Sequence, residues 1–153
     1  MSTKPKIKII DNSKLRAEID LLYEKAEHIS LAKWALAMSK HIMKIAGIDY
    51  ESINDIVNGF KVNEAWQNGK SRMYDVRQAG FAANRIARDC KDETRKAAMR
   101  AAVQSIGSGH MREHAMVTSD YSIKVINLLY PDNINAITVE REWQLNVKKI
   151  FVI

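Results

Sequence analysis

Apolar residues recur at helical spacing along almost the whole chain. Leu15, Ile19, Leu22, Tyr23, Ala26 and Ile29 form one stripe over four turns, behind Asn12 or Ser13 as a cap. Leu31, Trp34, Ala35, Met38, Ile42 and Ile45 form a second, with Ser30 as its cap and Gly47 at its end. Ser52-Ile53-Asn54-Asp55 carries a capping-box pattern and opens a third stretch, in which Asn58-Gly59 predicts a break or bend. Val62, Ala65 and Trp66 carry that stretch to Asn68-Gly69. Ser71 caps a fourth helix whose inner face is Met73, Val76, Ala79, Ala83, Ile86 and Cys90. Asp92 caps a fifth, running from Ala97 through Ile106, small or apolar over much of its circumference as a central helix is. Gly107-Ser108-Gly109 closes it. A sixth helix places His114, Val117, Tyr121, Val125 and Leu128 on one face. Pro131-Asp132-Asn133 then stops and restarts the chain before a last stripe of Ala136, Val139, Trp143, Val147 and Ile150.

These stripes predict an all-α, single-domain bundle of six to seven helices over residues 13–153, behind an N-terminal basic arm over residues 1–12. Lys6-Ile7-Lys8-Ile9 alternates with period two, so short strands are allowed at the termini. The apolar end, Ile150 with Phe151-Val152-Ile153, must be covered. It can dock on its own bundle, pair with the arm, or cross to a second copy. Two-fold pairing is the commonest closed assembly, so a homodimer is the expectation.

Composition narrows the class. Six Gly and two Pro in 153 residues leave little room for a turn-rich β architecture. The single cysteine, Cys90, excludes an internal disulfide framework and fits a reducing compartment. No apolar run reaches membrane-spanning length, and the start of the chain has no signal-like apolar segment. The expected location is cytoplasmic, with no membrane partner. The net charge is +6, and it is uneven: residues 1–51 hold 9 basic and 7 acidic side chains, 52–102 hold 10 and 6, and 103–153 hold 5 and 5. The excess centres on a basic patch of Arg72, Arg77, Arg85 and Arg88. Nucleic-acid domains carry a stronger excess and a reading module, so nucleic acid is not the expected partner.

Candidate chemistry is sparse. His110-Met111-Arg112-Glu113-His114 has the H-x-x-E-H spacing of inverted zinc peptidases, in which two histidines on one helical face ligate zinc. Only 39 residues follow His114, little room for a further ligand, and two glycines precede His110. His110 and His114 are therefore the only metal candidates, and the expectation is no metal, no cofactor and no catalytic residue. Cys90 lies at a helix end without a histidine beside it, and a helix C-terminus disfavours the thiolate. No phosphate-binding or nucleophile-elbow motif occurs. The expectation is a non-enzyme.

Four segments carry a resemblance. They are Ala65-Trp66-Gln67-Asn68-Gly69; the Ala-rich run from Arg77 to Arg88; the stretch from Ala97 to His110 with His114-Ala115 and Tyr121; and Glu140-Arg141-Glu142-Trp143-Gln144. Together they are similar to the immunity-protein family of bacterial toxin systems, the Imm-five-like group, over roughly residues 30–147. Ser105, Ser108, Val117, Thr118 and Ser119 stand where that family tends to have Ala or Gly. The resemblance implies a bacterial, all-helical, non-enzymatic protein that binds and neutralises a cognate toxin. It makes His110, His114, Tyr121, Arg141, Trp143 and Trp66 the ligand or interface candidates. An alternative is a small-molecule or metal-binding bundle, with His110, His114, Tyr121 and Arg141 converging on one pocket. Against a basic inhibitor, the complementary toxin surface is acidic.

Overall fold

The computed structural model describes residues 2–152. Seven α-helices follow the extended arm: α1 (Ser13–Lys25), α2 (His28–Ile45), α3 (Asn54–Gln67), α4 (Met73–Asp89), α5 (Glu93–Gly107), α6 (His114–Leu129) and α7 (Ile134–Val152). A 3₁₀ turn, Tyr50–Ser52, lies between α2 and α3. The chain is an all-α bundle, and no strand occurs among the described residues.

Caps explain most boundaries. Asn12 accepts from the Leu15 N–H, Asp92 from the Arg95 N–H and Asn133 from the Ala136 N–H. Gly47 and Gly69 take positive φ just past the ends of α2 and α3, as a helix C-terminus favours. Three expected caps fall elsewhere. α2 begins two residues before Ser30, because Ala26 and Glu27 turn extended right after α1. Ser52 sits inside the 3₁₀ turn capped by Asp49. At α4 the carboxylate of Asp75 reaches back to the Arg72 N–H, so Arg72 rather than Ser71 stands at the start.

The predicted break at Asn58-Gly59 does not occur; α3 runs straight through it. Gly59 is buried because Ile106 of α5 lies against its backbone, where a Cβ would collide with the Ile106 side chain. The glycine sets how closely α3 and α5 approach, rather than ending a helix.

α5 is central, as its composition predicts: Ala97, Ala98, Met99, Ala101, Ala102 and Ile106 are all buried, and α5 packs on α2, α3, α4 and α6. The main core lies between these helices, with Ile42, Ile56, Phe60, Val76 and Ile123 at its centre. A second core joins α1, α2 and α7 around Trp34, Leu31, Ile19 and Leu145. Phe151 packs against this second core, so at that residue the chain end docks on its own bundle. Ile153 lies outside the described residues, as does the side chain of Val152.

The arm does not form the strand that its alternation suggested. Asn127 of α6 takes the place of a strand partner, accepting from the Ile10 N–H (2.8 Å) and donating to the Ile10 carbonyl (2.9 Å). Further back, Asp20 accepts from the Thr3 N–H and hydroxyl, and Arg16 donates to the Thr3 carbonyl. At Thr3 and Ile10 side chains take up the backbone bonds that a ladder would otherwise make.

Candidate functional site

The six-residue link between α5 and α6, residues 108–113, is pinned from both sides. Asn63 of α3 is fully buried, and its amide donates to the Ser105 and Ile106 carbonyls (3.2 and 2.9 Å), closing the C-terminal end of α5. The His28 ring bonds the Ser108 carbonyl at 2.6 Å through Nε2. On the other side Arg112 donates to the Tyr23 and Ala26 carbonyls (2.7 and 3.1 Å), capping α1 with a cation at its negative end. Trp66 tilts against the His28 ring with centroids 4.7 Å apart. A Cβ on Gly109 would meet Val76, Asn63 and Trp66, so only glycine lets the link lie this close to α3 and α4.

This fastening places two histidines beside α4. His110 lies in the link and His114 opens α6, so they do not share one helical face as the H-x-x-E-H reading requires. Their ring centroids are 6.3 Å apart with planes tilted by 30°. Both are half-buried. The partner of His114 is Gln104 of α5, with Nδ1 at 2.5 Å from Oε1. Gly107 lies against the ring, where a Cβ would approach it to 3.2 Å. Burial, with the nearby charges of His110 and Lys6, holds the His114 imidazole below its ordinary range; Glu113 opposes weakly. Among the described residues no three His, Cys, Asp or Glu side chains group as metal ligands would.

Between α4, α5 and these histidines lies a cleft of about 220 Å³. Arg77 and Asn84 of α4 and Gln104 of α5 line it together with His110 and His114, over a floor of Gly80 and Gly107. None of its lining residues is a carboxylate. The Arg77 guanidinium lies over the Phe81 ring, 5.4 Å from its centroid.

The cleft opens onto the outer face of α4. Arg77, Phe81, Arg85 and Arg88 recur at helical spacing along that face, with Tyr74 one turn earlier. Phe81 and Tyr74 are 51% and 59% exposed, unusual for such large rings. Three of the four basic-patch arginines thus share a face with two exposed aromatics. Arg72 is paired with Asp75 at 3.1 Å, and Arg88 lies 3.6 Å from Asp89.

The other predicted residues lie apart. Arg141 is sealed in the interior, donating to Asp11, Asp120 and Ser119 at 2.6–2.9 Å. Arg16 completes that network with a two-pronged bond to Asp120. Trp143 stacks on His41 at 3.6 Å, and His41 bonds the buried Glu140 at 3.0 Å. Tyr121 lines a separate groove with Lys96, Arg100 and Lys124. Trp66 supports the link from behind. Of the proposed convergence only His110 and His114 meet, because Arg141 is enclosed in the interior and Tyr121 lines a separate groove. The additional members, Gln104, Asn84 and Phe81, carry no motif; helical spacing from Arg77 is the one signal that could have found Phe81.

Residues 21–148 fit a family model described as Imm-5 like putative immunity protein. No match was found among curated proteins or solved structures.

Proposed function

We propose a function from one premise: the chain belongs to the Imm-5 like putative immunity protein family. It acts as an immunity-type inhibitor, neutralising a cognate toxin by protein–protein binding and without turnover. One observation supports this reading beyond membership. The outer face of α4 presents Arg77, Phe81 and Arg85 with Tyr74 to solvent. Arginine and aromatic side chains are the types that dominate binding energy at protein interfaces. Exposed aromatics beside unneutralised guanidiniums fit an acidic protein surface better than a second basic one. The absence of a carboxylate from the adjoining cleft points the same way.

The test takes as candidate toxin the product of the gene that neighbours this chain's own. Co-expression should rescue cells from that toxin, and the two purified proteins should elute together on gel filtration. The double substitution Arg77→Glu with Arg85→Glu should abolish both effects while the helical circular dichroism stays unchanged. Full rescue by the folded double variant would exclude the α4 face, and the lack of any complex with the wild-type chain would exclude the inhibitor reading.

A further inference from the structure

We infer that the cleft between α4 and the α5–α6 link receives a single acidic side chain of the protein partner, whose carboxylate is held by Arg77, His110 and His114. The inference rests on the inhibitor reading and adds the group that is recognised. Three observations carry it.

The first is size. The cleft holds about 220 Å³, below the roughly 300–1,000 Å³ of small-molecule sites and enough for one side chain. Pockets of this kind on a protein surface seat the anchor residues of a partner.

The second is chemistry. Every polar side chain in the lining either carries a cationic group, can acquire one, or is an amide: Arg77, His110, His114, Asn84 and Gln104. Arg77 has no ion-pair partner among the described residues; its guanidinium rests on Phe81 and is pre-placed for a two-pronged bond to a planar carboxylate.

The third is the hydrogen-bond state of His114. With Gln104 Oε1 as the acceptor, the ring proton sits on Nδ1, and the neutral ring has only a lone pair at Nε2. A carboxylate needs a donor there, so its arrival takes up a proton. The groups facing His114 are His110, Lys6 and Glu113, of which the first two oppose that proton in the free protein. The bound anion reverses the bias. Binding should therefore strengthen as pH falls, through a group within the cleft rather than through the partner's overall charge.

The probe is N-acetyl-glutamate amide, titrated into the full-length chain and followed by NMR at the imidazoles of His110 and His114. A single carboxylate contact should saturate at a Kd of about 1–10 mM near neutral pH. It should tighten about fivefold between about pH 7.5 and 5.5. N-acetyl-glutamine amide should produce no saturable shift, and neither should the glutamate probe with R77A, whose exposed position leaves the fold intact. The variant H114Q should bind with a clearly weaker pH dependence, since His110 is then the one imidazole left in the cleft. Equal shifts from both probes, or binding that R77A leaves unchanged, would overturn the inference. Saturation by inorganic phosphate but not by the glutamate probe would overturn it in favour of a phosphate site. A toxin complex that forms through α4 while the glutamate probe fails to bind removes the cleft and keeps the inhibitor reading. Probe binding in a chain that captures no neighbouring toxin removes the inhibitor reading and keeps the carboxylate site.

Discussion

Replacing Lys148 with methionine should stabilise this protein at neutral pH. Lys148 is 1% exposed, and its ammonium nitrogen has no hydrogen-bond partner among the described residues. It lies 4.3 Å from the centroid of the Trp34 ring, inside the second core. Burial, with the like charge of Arg112 adding to it, pulls its pKa from 10.5 down to about 7. The unfolded amine keeps its proton up to about 10.5, while the folded one releases it near 7. Between those values the unfolded chain binds more protons, so stability must rise with pH across that window. At 1.36 kcal/mol per unit, the penalty near neutral pH is about 4 kcal/mol. Contact of the ammonium with the Trp34 face opposes that penalty by about 2 kcal/mol at most, so the buried charge costs about 2–4 kcal/mol.

Urea denaturation at a series of pH values tests this. The wild-type chain should gain about 1–2 kcal/mol between about pH 7 and 9. Lys148→Met keeps the aliphatic stem and deletes the charge, so its stability should be flat over that range and higher by about 2 kcal/mol at neutral pH. Two other shifted groups lie outside the window. The Tyr23 hydroxyl is pushed above 10 by burial and Glu113, and the His114 imidazole is held below 6.5. A wild-type curve that is level across the window, with a methionine variant less stable throughout, would show that Lys148 is satisfied by contacts outweighing its burial.

Arg141→Met should destabilise the chain by about 3–5 kcal/mol, because it leaves Asp11 without its cation and strips Asp120 of one of two; a loss under about 1 kcal/mol by thermal melting would refute the network's role. Arg141→Lys should recover little of that loss, since one ammonium cannot span Asp11, Asp120 and Ser119 at once. A chain ending at Lys149 should lose about 1–2 kcal/mol from the packing of Phe151, while its mass by light scattering stays that of the full chain. A change of mass without loss of stability would return the tail to a role between copies.

The helices were legible because their information is local. Stripes at 3.6-residue spacing survive in the sequence whatever the stripe later packs against, and caps such as Asn12 and Asp92 act within three residues. Gly59 shows where local reading ends: the same glycine marks a turn by propensity and a helix crossing by geometry, and only the arrival of Ile106, 47 positions later, decides between them. The site divides along the same line. His110 and His114 attract notice because they are close in sequence, and Arg77 because charge is countable. The partners that position them, Asn63, Gln104 and His28, come from α3, α5 and α2, and amides in a helix carry no periodic signal. Arg141 was misplaced for a related reason. The resemblance groups it with the histidines, and nothing within its own helix reveals that Asp11 and Asp120 reach it from the arm and from α6.

The two sides of the bundle use charge in opposite ways, and this bears on the binding face proposed on α4. On the α1, α6 and α7 side, Asp11, Asp20 and Asp120 turn inward against Arg16, Arg141 and Thr3. Such buried pairs add little over apolar packing, but they remove both signs of charge from the exterior. The acidic residues withdrawn there cannot balance the arginines of α4 across the surface. Those arginines then form a field that reaches about a Debye length, roughly 8 Å at physiological salt, and steers an acidic surface toward that face. Steering alone raises the association rate and not the lifetime of a complex. Lifetime requires desolvated anchors, and Phe81, Tyr74 and the adjoining cleft are the features on that face able to supply them. In the proposed mode, charge that brings a partner in and a pocket that retains it lie side by side, on the outer face of α4 and in the cleft between α4, α5 and the link that follows.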